Sequence, residues 1–137
     1  MTLKVGDAAE TTKTVTDADV RAFAELTGDY NPVHLDEEYA ASTRFGRRIA
    51  HGMLGASLIS AVLAGKLPGR GTVYLSQTLR FAAPVFLGDT VTARVVVKAL
   101  REDKPVVTLE TFCTNQRGER VVEGEAVVLA PKAGSNV

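Results

Sequence analysis

The chain has 137 residues, 45% of them hydrophobic and 23% charged, which is ordinary globular usage and argues against disorder or low complexity. Sixteen Lys and Arg balance sixteen Asp and Glu, so the electrostatic footprint of a nucleic-acid binder is missing and no nucleic-acid partner is expected. Cys113, the single cysteine, cannot close an intramolecular disulfide, and two histidines with no Cys/His cluster give no usual zinc spacing, so no metal is expected.

One domain over 1–137 is the simplest organisation, large enough to bury roughly 65 to 70% of its extended-chain surface. The opening MTLKVGDAAE lacks the apolar run of a secretory signal, and the expected setting is cytoplasmic. Residues near Ala8 to Val15 carry threonines and alternate weakly, as a strand can. Thr16 then reads as an N-cap, Asp17 and Asp19 suit the positive end of a helix dipole, and Val20, Phe23, Ala24 and Leu26 keep helical spacing up to Gly28, a C-terminal glycine.

Asn31-Pro32 predicts a stiff turn between Asp29 and His34, holding a carboxylate and an imidazole toward one site. A short helix capped by Asp36 follows, and Arg44 to Arg48 reads as an exposed loop. From about Ala50 to Ala64, apolar or small residues cover almost every face, which predicts a buried helix. Ser57, Ser60 and the glycines interrupt it and Lys66-Leu67-Pro68-Gly69 stops it, so it is too short to span a bilayer and no membrane is implied.

Beyond Gly71 the pattern becomes extended. Four strands are expected, over Thr72–Phe81, Thr90–Leu100, Lys104–Asn115 and Val121–Ala130. In the second, Val91, Ala93, Val95, Val97 and Ala99 share one face; in the third, Val107, Leu109, Thr111 and Cys113; in the fourth, Val122, Gly124, Ala126 and Val128. Strands joined by short turns after a block of helices predict an α+β fold with an antiparallel sheet wrapped around the central helix. The sheet's edges favour pairing with a second copy, so a homodimer is expected. A polar, frayed tail is expected over 131–137.

Gly28-Asp29-Tyr30-Asn31-Pro32-Val33-His34, followed by Ala50-His51-Gly52-Met53, resembles the MaoC-like (R)-specific enoyl-CoA hydratases of the hot-dog fold. LPGRGTVYLSQTLRFAAPVFLGDTV resembles that family's first long strand and turn. The resemblance implies that Asp29 and His34 are a catalytic pair activating one water for addition to a trans-2-enoyl thioester. It also implies that the Gly52 N–H binds the thioester oxygen and that the product is (R)-3-hydroxyacyl-CoA. Coenzyme A would be part of the substrate, with no separate cofactor. Asn31, His51, Ser60 and Leu63 fall at positions the resemblance puts near the substrate, although a histidine just before a buried helix better suits orienting its loop by hydrogen bonding, Ser60 can equally be a small packing residue and Leu63 better suits the core.

The chemistry fits residue by residue. Hydration needs a base, an acid and a donor for the enolate-like oxygen, and Gly52 lies in a helix's first turn, where N–H groups are unpaired. Arg44, Arg47, Arg48, Lys66 and Arg70 suit coenzyme A phosphates as well as solvated loops. Two other readings share the fold: an acyl-CoA thioesterase, against which stands the absence of Asp or Glu between Ala50 and Ala64, and a non-catalytic acyl-thioester-binding module.

Overall fold

The computed structural model describes residues 2–132, so most of the expected tail, 133–137, lies outside the described residues. Strands β1 (Ala8–Thr14), β2 (Val73–Phe81), β3 (Thr90–Leu100), β4 (Val106–Thr114) and β5 (Arg120–Leu129) form one antiparallel sheet. Helices α1 (Asp17–Thr27), α2 (Pro32–Leu35) and α3 (Glu37–Ala41) precede the central α4 (Gly52–Gly65). This is the α+β hot-dog arrangement, with α4 packed chiefly on β3. Among the described residues no helix is long and apolar enough to cross a membrane.

The punctuation in the sequence sets the local structure. Thr16 and Asp19 form a capping box, Asp19 N donating to Thr16 Oγ1 at 3.2 Å and Thr16 N to Asp19 Oδ2 at 3.0 Å. Gly28 ends α1 at φ 80°, a left-handed value that glycine adopts without a Cβ clash. Pro32 opens the one-turn helix α2 where a loop turn is expected; its missing N–H costs nothing at a helix start, and Asn31 Oδ1 caps the turn by accepting from Val33 N at 3.2 Å.

Three expectations are corrected. The strand order is β1-β3-β4-β5-β2, so β2 pairs with β5 and not with β3. Residues 82–89 carry the chain across the sheet, because eight residues reach up to about 26 Å, enough for the roughly 14 Å of three strand spacings. Ala99 is exposed: the register slips between Val97 and Ala99, a bulge that ends the inward set of Val91, Ala93, Val95 and Val97. And α4 is buried on one side only. Leu54, Ile59, Val62 and Leu63 join Val95, Leu109 and Val128 in the core, each large side chain contributing roughly 1.5–3 kcal/mol, while Met53, Ser60, Ala61 and Ala64 remain exposed.

The two sheet edges differ. Edge strand β1 carries Glu10, Lys13 and threonines, whereas edge strand β2 exposes Val73 (53%), Leu75 (54%) and Phe81 (51%). An apolar, unpaired edge of this kind is the surface natural sheets cover.

Candidate active site

His34 sits at the end of α2, in the turn that Asn31 and Pro32 build, and is 8% exposed. Its Nδ1 lies 2.7 Å from the Ile49 carbonyl oxygen. A carbonyl only accepts, so Nδ1 carries the proton and Nε2 keeps its lone pair free. Burial pushes the His34 pKa below its ordinary range; the Ile49 hydrogen bond opposes this, His51 lowers it further and Asp29 raises it. The lowered pKa favours the neutral imidazole, whose free Nε2 lone pair can accept a hydrogen bond or a proton.

Asp29 follows the C-terminal glycine of α1 and is exposed, with Oδ1 accepting from Asn31 N at 3.2 Å. His51 caps α4 and is only 3% exposed. Its Nε2 donates to the Asp29 carbonyl oxygen at 3.0 Å, and its ring stacks on His34 with centroids 3.9 Å apart and tilts against Phe23 at 4.8 Å. This one side chain ties the Asp29 loop, the α2 turn and the start of α4 together. One donor atom each from Asp29, His34 and His51 lies within 4.8 Å of the others, a grouping with the chemistry to hold either a polarised water or a cation.

Gly52 is the first residue of α4, and its N–H has no intrahelical acceptor. A Cβ there would stand 2.7 Å from Cδ1 of Phe81, so glycine allows the end of β2 to close over the helix start. His34, Gly52 and Met53 form the shared wall of two cavities. One, about 470 Å³, is mostly apolar and continues along Phe45, Phe81 and Val85; the other, about 330 Å³, contains Asp29 and His51. A carboxylate, an imidazole lone pair and an unpaired main-chain N–H thus converge beside an apolar hollow, the set that polarises water and stabilises a developing oxyanion.

Asp29, His34, His51 and Gly52 are gathered here; Asn31 is exposed, lines neither cavity and serves the turn, its side-chain oxygen accepting from Val33 N. Ser60 and Leu63 line neither cavity: Ser60 is on the exposed side of α4, and Leu63 is core at 1% exposure. Arg48 departs from the exposed loop expected for it. It is buried, donating from Nε to the His34 carbonyl oxygen at 2.7 Å and from Nη2 to Asp17 Oδ1 at 2.6 Å, and so anchors the α2 turn to α1. Its position in an Arg-Arg pair just before an apolar run gave no sign of this. Cys113 donates to the Gly55 carbonyl oxygen at 3.5 Å, and burial pushes its thiol up to about 12, far from a nucleophile's range.

Residues 4–115 match the family model described as MaoC like domain. The chain is 54% identical to the (R)-specific enoyl-CoA hydratase of Aeromonas caviae over 129 residues, 94% of this chain and 96% of that protein. It is 50% identical to the (R)-specific enoyl-CoA hydratase of Rhodospirillum rubrum, with 96% and 91% covered. A solved structure described as an (R)-hydratase from A. caviae involved in PHA biosynthesis superposes with a TM-score of 0.92 over 94% of this chain and 98% of that one.

Proposed function

The chain belongs to the MaoC-like domain family, and from that premise we propose that it is a hydro-lyase adding water reversibly to trans-2-enoyl-CoA to give (R)-3-hydroxyacyl-CoA. The observation that carries the site assignment is the convergence of Asp29 and His34 beside the Gly52 N–H at the wall of an apolar cavity. One water donates to the Asp29 carboxylate and to His34 Nε2. Its oxygen bonds to C3 as one of the two groups takes a proton, and the C2–C3 π pair moves toward the thioester oxygen, where the Gly52 N–H and the helix dipole stabilise the charge. The abstracted proton is then delivered to C2, so the water supplies both added parts. Dehydration is the reverse.

The step needs no group beyond these residues, and we assign no metal or separate cofactor a role in it. The exposed β2 edge and the open side of α4 support a homodimer formed by pairing β2 with β2 of a second copy. The lone buried thiol of Cys113 fits a reducing, cytoplasmic setting.

The test is purified protein with crotonyl-CoA, following loss of the conjugated-enoyl absorbance and, in parallel, release of free thiol. Absorbance loss without thiol is expected, reduced roughly 10²- to 10⁴-fold by Asp29→Asn or His34→Ala. Thiol release, or full activity in either variant, would refute the assignment.

A further inference from the structure

Asp29 and His34 sit on separate turns, and one segment, 48–51, grips both. On the His34 side the grip is double: Arg48 Nε donates to the His34 carbonyl oxygen at 2.7 Å, and the Ile49 carbonyl oxygen accepts from His34 Nδ1 at 2.7 Å. On the Asp29 side it is single. Gly28 N donates to the Ala24 carbonyl oxygen, Asp29 N to Thr27 Oγ1 and Asn31 N to Asp29 Oδ1, all of them local bonds. Among the described residues, the bond from His51 Nε2 to the Asp29 carbonyl oxygen is the one hydrogen bond that ties this exposed turn to a distant part of the chain, 22 residues away. The Asp29 carboxylate therefore keeps its place beside His34 only as well as His51 holds its main chain.

The choice of residue at 51 is itself anomalous. His51 Nδ1 is buried without a hydrogen-bond partner, alone among the buried side-chain nitrogens and oxygens of the described residues. Interiors leave few such atoms, because an unpaired acceptor has given up its water for nothing. Packing does not call for one: phenylalanine or leucine would fill the space against Phe23 and His34 and strand no polar atom. Capping does not either. His51 is the N-cap of α4, yet its side chain makes no capping bond, where Ser, Thr, Asn or Asp would accept from the first turn. What an imidazole alone supplies is a flat face for the His34 ring, 3.9 Å away, together with an N–H for the Asp29 carbonyl. Both acceptors are carbonyls, so His51 carries its proton on Nε2 and His34 on Nδ1, and the stacked rings are opposite tautomers.

We propose that His51 is a positioning residue for the hydration step: its Nε2–H fixes the Asp29 main chain and its ring face fixes the His34 imidazole, so one buried side chain sets the gap in which carboxylate and imidazole share a water. The proposal rests on the hydratase reading above. His51 exchanges no proton with the substrate and acts through the two residues it holds. Loss of either contact therefore lowers kcat and leaves the affinity for the thioester, which is made elsewhere, in place.

The test separates the two contacts. His51→Gln keeps a donor at the ε position and loses the ring, His51→Phe keeps the ring and loses the donor, and His51→Asn loses both while supplying a cap for α4. With crotonyl-CoA, kcat is expected to fall roughly tenfold in the first two and about 10²-fold in the third, with KM within about twofold of wild type throughout. His51→Asn should also melt above His51→Ala while being no more active. Wild-type kcat in His51→Phe would assign the residue to packing, activity recovered together with melting temperature in His51→Asn would assign it to helix stability, and a KM that rises as kcat falls would assign it to substrate contact; each overturns the proposal. The chain's only two histidines are His34 and His51, so side-chain nitrogen NMR of the wild type reads this pair without any substitution. In mildly alkaline solution one Nε2–H ring and one Nδ1–H ring are expected, and two rings of the same tautomer overturn the proposal. A wild type that leaves crotonyl-CoA unchanged refutes the hydratase reading instead, and the tautomers still report whether His51 holds the Asp29 turn.

Discussion

Gly52→Ala separates packing from chemistry at one atom. The added methyl would stand 2.7 and 2.8 Å from Cδ1 and Cε1 of Phe81, against roughly 3.5–4.0 Å for an unstrained carbon contact, so one group must move by about 1 Å. Phe81 ends an edge strand and is half exposed, which lets its ring swing outward. Overpacking costs about 1–3 kcal/mol, and a yielding neighbour keeps it near the lower figure. In a domain of this length that lowers Tm by about 3–5 °C. The kinetic loss is larger, because the methyl occupies the approach of the thioester to the main chain: kcat/KM should fall roughly 10²- to 10³-fold. The assay is crotonyl-CoA hydration beside thermal unfolding for Gly52→Ala, Phe81→Ala and the double variant. In the Phe81→Ala background the added destabilisation should vanish while the kinetic loss remains. Wild-type kcat/KM in Gly52→Ala would refute the oxyanion role, and recovery of activity in the double variant would assign the loss to a displaced Phe81 instead.

A Cβ on Gly124 would overlap the Thr78 carbonyl oxygen, which is backbone and cannot step aside, so Gly124→Ala should separate β2 from β5 and destabilise by more than about 4 kcal/mol, read from folded yield and melting. Arg48→Ala leaves the buried His34 carbonyl without its donor and should cost about 1–3 kcal/mol with a drop in kcat; Arg48→Lys should recover only part of both, since one ammonium cannot replace a fork that bridges the His34 carbonyl and Asp17. Because burial lowers the His34 pKa, the neutral base survives below histidine's ordinary 6.5, and the acid limb of kcat/KM should fall below that pH. The same shift has a sign in stability. Unfolded His34 takes its proton near 6.5 and folded His34 only at lower pH, so stability is unaffected above 6.5 and is lost as pH falls through the folded value. Denaturant midpoints of wild type and His34→Gln between pH 5 and 8 should converge at the acid end; an acid limb at or above pH 7 would refute the neutral-imidazole assignment.

What the sequence determined by itself was everything carried by local chemistry. Thr16, Asp19 and Gly28 bound α1 because caps act within one turn, and Asp36 opens α3 for the same reason. The inward faces of β4 and β5 follow from a side-chain period of two, and the Asp29 to His34 spacing places both groups because only a capped turn intervenes. The tertiary structure decided what lies across space. A period names a face but no partner, so the pairing of β2 with β5, the bulge that turns Ala99 outward and the apolar edge left on β2 had no sequence signal. His51 reaches the Asp29 carbonyl over 22 residues, and Arg48 reaches Asp17 over 31, through hydrogen bonds that long-range packing alone aligns. Five cations scattered from Lys66 to Lys132 come to line one cavity for the same reason: the end of α4 and the ends of β3, β4 and β5 meet only once the sheet has formed around the helix.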